Sequence, residues 1–271
     1  MVEIKSNRGA PRFGREPRIE VTDGALIPGK GEKPLLSSWR ISFFGALAIL
    51  AYLFFFKPKP YRDILLFIPD GILKTLEVTV LSIVFALFVG LFAGIGRISR
   101  ITIINRIATV YVEVIRGIPL LVQIFYIYYA LAKIVALPDI TSAVIAMTVC
   151  YGAYLAEIFR AGIQSIPKGQ MEAAIALGLT RSQALGRIIL PQTVRIVLPP
   201  LGNEFIALLK DSSLVSILAV SDLLRRGREF AATYLDYFPP LTVVALVYLV
   251  MTLFFSKLVA IMEERLRRSG G

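Results

Sequence analysis

The sequence contains no histidine and only one cysteine, Cys150. Without histidine there is no imidazole general base, no histidine proton relay and no histidine zinc site. One cysteine cannot close an intramolecular disulfide. Cys150 lies inside an apolar segment, so a buried, inert thiol is expected there, because reactive thiols need an electropositive and accessible setting. The patterns GxxxxGK[ST], HExxH and GxSxG are all missing, which excludes a P-loop for ATP and two common hydrolytic centres. The first forty residues are polar, so no cleavable signal is expected.

What the chain has is apolar surface and positive charge. It is 56% hydrophobic over 271 residues, with a mean hydropathy of +0.71, which points to an all-α protein crossing a membrane several times. Its net charge of +11 is then a matter of topology rather than a nucleic-acid footprint. Residues 1–38 are rich in Gly, Pro and charge and are expected to form a cytoplasmic, basic, disordered tail. Contact with anionic lipid and a solvated topology signal are both open readings of it.

Six spans are expected. Residues 39–56 form the first, with Trp39 and Arg40 as interface anchors, and Lys57 and Pro58 end it. Residues 72–96 form the second, where Gly90, Gly94 and Gly96 allow close helix approach and Lys74 and Glu77 are i,i+3 partners. Residues 107–137 contain the third, bent or broken at Pro119; 140–159 are the fourth. A fifth span over 194–218 is expected to kink at Pro199 and Pro200. A polar connection follows over 221–240, and 241–262 are the last span before a charged tail, 263–271. If the chain starts inside, the inside segments hold twenty Lys and Arg and the outside connections six, which puts both termini in the cytoplasm. Arg225, Arg226 and Arg228 run against this map.

The loop 163–191 is the most informative stretch. Lys168 to Leu177 reads as a helix that Gly178 would stop from the C′ position. Thr180 with Gln183 offers a capping box for a second short helix, closed by Pro191. Glu172 is expected in the first half of the first helix, facing the N-terminal dipole.

Glu172-Ala173-Ala174, three residues, Gly178, nine residues, then Ile188-x-Leu190-Pro191 resembles the EAA loop of ABC importer permeases. RGIPLLVQ (116–123), AEIFRAGIQSIPKGQ (156–170) and KDSSLVSILAVSDL (210–223) resemble its polar amino acid uptake branch. The family pattern departs here at Ile118, where Thr or Leu is usual, and at Met171, where Trp is usual. The likeness covers roughly residues 73–262.

The resemblance implies a type I helical bundle with a permease domain over 72–262; it does not cover the apolar helix at 39–57, which is expected as an extra transmembrane helix added to that five-helix core. It also implies that Glu172, Ala173, Ala174 and Gly178 dock on a cytoplasmic ABC ATPase dimer, which carries the ATP and Mg. Two further partners follow from it, a second permease chain (identical or a close paralogue) and an extracytoplasmic amino-acid-binding protein. The location implied is the bacterial inner membrane. No cofactor and no nucleic acid belong to such a chain.

The residues themselves suggest where substrate passes. Asn203, Glu204, Lys210 and Asp211 share one helical arc of roughly 120°, and ionisable groups within spans are functional candidates by default. Carboxylates for an ammonium and a lysine for a carboxylate suit a zwitterion; mutual pairing of these charges is the alternative. Glu113 and Arg116, i,i+3 partners, either form a local ion pair at the Pro119 break or meet substrate. Gln123 either meets substrate or satisfies a carbonyl freed by Pro119.

A non-catalytic permease subunit working by alternating access is the reading these features favour. An ion-coupled carrier or channel would need no docking loop and should show repeated halves, which are not seen. An intramembrane enzyme lacks its machinery.

Overall fold

The computed structural model describes residues 37–135 and 137–268. The expected tail 1–38 thus lies outside the described residues except for Ser37 and Ser38. Among the described residues the chain is all helical, without strands.

The first helix, α1 (Ser38–Phe56), is capped by the Ser37 side chain, which accepts from the Arg40 N–H. It is apolar all round and largely exposed, as a lipid-facing helix can be. It leans on the last helix, α11 (Phe238–Arg268), where Trp39 Nε1 donates to the Leu253 carbonyl at 2.8 Å. A short helix, α2 (Pro58–Phe67), leads into α3 (Pro69–Ile98).

The bundle is organised on α3 and α6 (Asp139–Gln164). Two thirds of the most apolar window of α6 is buried, against 6% for α1. The expected small-residue contacts form. A Cβ on Gly90 would stand 2.5 Å from Leu155 Cβ, and one on Gly94 2.8 Å from the Ala156 carbonyl. Any larger residue there would force the two backbones apart. Val78, Ala86, Met147, Tyr151, Leu155, Leu208 and Val215 fill the core around this pair.

Between them the chain breaks sharply. Helices α4 (Thr102–Gly117) and α5 (Leu120–Ile134) meet at 112°, because Pro119 has no N–H to continue the ladder and disfavours helical geometry at Ile118. Ile118 is extended, with φ −108° and ψ 138°.

One expectation is corrected after residue 164, and two further segments prove to be helical. The segment from Thr180 does not end at Pro191. Instead α8 (Arg181–Ala184) passes through a π-helical turn (Leu185–Ile189) into α9 (Leu190–Asp211). Pro191 lies in the first turn of α9, where a missing N–H costs nothing. The polar connection over 221–240 is largely helical. It holds α10 (Leu223–Tyr234), whose Leu223, Gly227, Phe230 and Ala231 at helical spacing are buried beside Ile64, Ile68, Val243 and Val247. The charged tail is helical as far as Arg268, on the last turns of α11.

Four helices are long and apolar enough to cross a membrane (α1, α3, α6 and α11), or up to five if α4 and α5 count as one broken span. The expected fifth span, α9, is outside that set. It carries Arg195, Glu204, Lys210 and Asp211 and packs against α3, α6 and α11, which half-bury Glu204 and Asp211 and leave Arg195 and Lys210 exposed.

Candidate functional site

Two sites emerge, one at the turn between α6 and α9 and one inside the bundle. At the first, α7 (Lys168–Ala176) ends as the sequence predicts. Gly178 adopts φ +85°, a left-handed conformation that glycine takes without a Cβ penalty. Its N–H bonds the Ile175 carbonyl at 2.9 Å, and the Leu179 N–H bonds the Ala174 carbonyl at 3.1 Å. This pairing is a Schellman motif, and it satisfies carbonyls the helix end would leave open. The capping box also forms: the Gln183 N–H donates to Thr180 Oγ1 at 3.3 Å, and the Thr180 N–H donates to Gln183 Oε1 at 3.0 Å.

Glu172 is the fifth of nine residues in α7, and no acidic residue lies in the first turn. Its carboxylate therefore stands away from the dipole end, correcting the expectation of a dipole contact. Glu172 and Ala173 are exposed and Ala174 is buried, so the motif is split between an outer face and a seat. Leu177 is 82% exposed. Among the described residues, no ion pair involves Lys168, Glu172, Arg181 or Arg187.

About two turns before the end of α6, Glu157 is held by Arg97 of α3 and by Arg160 on its own helix. Arg160 also donates to Gln164 Oε1 at 2.6 Å, and Asn105 of α4 donates to the Arg97 carbonyl. Three helices are thus tied together where α6 enters the turn.

Inside the bundle, the arc on α9 is only partly assembled. Glu204 and Asp211 are half-buried; Asn203 and Lys210 are exposed. Tyr151 of α6 donates its hydroxyl to Asp211 Oδ2 at 2.8 Å. The Arg116 guanidinium lies 5.5 Å from the ring centroid of Tyr154, a cation–π contact, and Glu204 is within electrostatic reach of Asp211 and Arg116. So α4, α6 and α9 bring Arg116, Tyr151, Tyr154, Glu204 and Asp211 together. Sequence reasoning missed the two tyrosines, although phenols at i and i+3 inside a small-residue stretch are a visible signal.

Of the two options for Glu113 and Arg116 the local ion pair is not formed; Arg116 lies toward Tyr154 instead. Gln123 takes the carbonyl-satisfying option. Its amide donates to the Ile115 and Ile118 carbonyls, the first being the one the missing Pro119 N–H would have met. Cys150 is fully buried and donates to Gln123 Oε1 at 2.9 Å.

Two of the three arginines that ran against the positive-inside count, Arg225 and Arg226, have local partners. Arg225 bonds Glu229 at 2.9 Å, and Arg226 bonds Asp70 and Glu229. Nearby, buried Asp222 caps α10 through the Leu224 and Arg225 N–H groups. Among the described residues no group of three or more His, Cys, Asp or Glu is placed to hold a metal.

A helical bundle with four to five candidate spans, one of them broken, and a capped turn between α6 and α9 is what the comparisons place among membrane transport permeases. Residues 86–268 match the family model for the binding-protein-dependent transport system inner membrane component, and the chain belongs to that family. It is 40% identical over 200 residues to the L-cystine transport system permease protein TcyB of Bacillus subtilis (strain 168), covering 73% of this chain and 86% of that one. It is 39% identical over 201 residues to the glutamine transport system permease protein GlnP of Escherichia coli (strain K12), covering 73% and 92%. A crystal structure of an amino acid ABC transporter with histidines superposes with a TM-score of 0.71 at 40% identity, over 78% of this chain and 98% of that chain. An inward-facing form of the MetNI methionine ABC transporter shares the fold, with a TM-score of 0.62 at 21% identity, over 76% and 97%.

Proposed function

We propose that this chain is the permease subunit of an ABC importer for polar amino acids, with no chemistry of its own. The observation that carries this is the turn over 163–191. The Schellman turn after α7 and the capping box of α8 hold a segment that presents Glu172, Ala173 and Leu177 outward, and among the described residues its charges form no ion pair. A helix closed at its C-terminal end and followed at once by a capped second helix, but unsatisfied on its outer face, is a pre-organised docking element. Its partner is a cytoplasmic ATPase dimer that holds ATP and Mg, and the Glu157 network passes the motion of α7 into α3, α4 and α6.

Substrate moves by alternating access along the cluster of Arg116, Tyr151, Tyr154, Glu204 and Asp211. This set has one cation for an α-carboxylate and two carboxylates for an ammonium. A second permease chain and an extracytoplasmic binding protein complete the assembly, and both termini lie in the cytoplasm of a bacterial cell. The cystine and glutamine named for the two relatives give the substrate class its range.

Purification of the chain with the ATPase expressed beside it tests the reading. Co-elution that is lost in Glu172→Ala supports it. Co-elution unaffected by substitutions at Glu172, Ala173 and Gly178 together would remove the docking element.

A further inference from the structure

We infer that Gln123 is a positioning residue for solute translocation: it fixes the α4–α5 break and, through it, the place of Arg116. The inference rests on the reading of Arg116 as part of the translocation path.

The Gln123 side chain is 4% exposed. Its one amide nitrogen donates to the carbonyls of Ile115 and Ile118, so the clamp brackets the dipeptide Arg116-Gly117 from both sides. Its oxygen accepts from Cys150 Sγ at 2.9 Å, which anchors the clamp to α6. Two donors and an acceptor are engaged at once, leaving the amide no donor for a passing solute.

Packing does not fix this stretch. Arg116, Gly117, Ile118 and Pro119 are all exposed, and nothing lies within 4 Å of where a Gly117 Cβ would stand. A 112° turn with open space around it needs hydrogen bonds to hold one geometry, because freed carbonyls at membrane depth find no water partner in lipid. Arg116 is the only charged side chain inside the clamp, and its guanidinium reaches the Tyr154 ring at 5.5 Å. Tyr154 is on α6, four residues beyond Cys150. The same helix therefore holds both the anchor of the clamp and the ring on which Arg116 rests. Without the clamp, Arg116 would lose its fixed distance to α6, and the cation would no longer be placed against Glu204.

The test uses the assembled transporter, this chain with its ATPase and binding protein, in proteoliposomes. The probe is the labelled amino acid that the wild-type complex takes up fastest from an equimolar mixture. Arg116→Gln and Gln123→Met are each expected to raise the KM for uptake about fivefold or more. The double variant is expected to be no worse than Arg116→Gln alone, since Gln123 acts through Arg116. A merely structural Gln123 would instead give effects that multiply. Should Gln123→Met fail to assemble, Cys150→Ala removes only the anchor. It is expected to raise KM about twofold in the wild-type background and not at all beside Arg116→Gln.

If Arg116→Gln impairs uptake while Gln123→Met leaves KM unchanged, or if the double variant shows multiplied losses, the positioning role is overturned and the path reading stands. Unchanged uptake in Arg116→Gln removes the path reading, and this inference falls with it.

Discussion

The Tyr151 hydroxyl donates to Asp211 Oδ2 at 2.8 Å, joining two residues sixty positions apart across the α6–α9 interface. Tyr151 is almost fully buried and offers the half-buried carboxylate a neutral donor. A neutral donor brings no counter-charge to Asp211, which in the proposed path leaves this side chain open to a cation.

Tyr151→Phe should therefore damage transport more than folding. The lost hydrogen bond to a charged group is worth about 1.5–3 kcal/mol, partly recovered because Asp211 is only half-buried. Uptake in proteoliposomes is expected to fall roughly tenfold, with a modest drop in melting temperature in detergent. Wild-type uptake in Tyr151→Phe would show that the bond serves packing alone.

The cap of α7 should be as sensitive as its sequence motif. Gly178→Ala forces a Cβ into a left-handed conformation at φ +85° and is expected to cost about 1 kcal/mol. Thr180→Ala removes one half of the capping box, again about 1 kcal/mol. Both should weaken co-elution with the ATPase while leaving the transmembrane bundle intact, as judged by size exclusion of the permease alone.

Glu157 is the link between the turn and the bundle. Its ion pairs with Arg97 and Arg160 are partly exposed, so their contribution to stability is small, about 1 kcal/mol or less. Coupling is where the loss should show. In Glu157→Gln, the ATPase subunit should still co-elute, but stimulation of ATP hydrolysis by solute and binding protein should fall. Equal stimulation in the variant and the wild type would remove Glu157 from the route.

Asp222 gives the protein a pH dependence. Burial pushes its carboxyl up to about 6 from 3.8, and the bonds from the Arg225 and Leu224 N–H groups and from Tyr248 only partly oppose this. The folded state thus holds the proton more tightly than the unfolded chain. Stability from this group is full below about pH 4 and is lost as pH rises through about 6. Asp222→Asn keeps a capping oxygen and has no charge to bury. Its thermal stability should rise relative to wild type as pH goes from 4 to 7. A constant difference across that range would count against the shift.

Much of this was legible one helix at a time. The break at Pro119, the stop at Gly178 and the Thr180–Gln183 box follow from backbone chemistry within four residues, and all three stand in the structure. The same local reasoning failed where context decided. Pro191 looks like a terminator but opens α9, since proline is harmless in a first turn and the preceding π-helical turn carries the chain through. Residues 221–240 look polar because α10 buries only one stripe and shows charge on the other.

Sequence alone was enough to read a helical chain built for a membrane, together with a motif-bearing turn over 163–191 to which the proposed ATPase contact is assigned. Hydrophobic runs, missing catalytic residues and motif spacing are all local quantities. Only the tertiary structure decided which polar groups meet: Tyr151 with Asp211, Arg116 with Tyr154, Gln123 with Cys150. Those meetings depend on how far each helix is rotated and slid against the next. Close contacts such as Gly90 and Gly94 against α6 set that register, and no periodicity within a single helix encodes it.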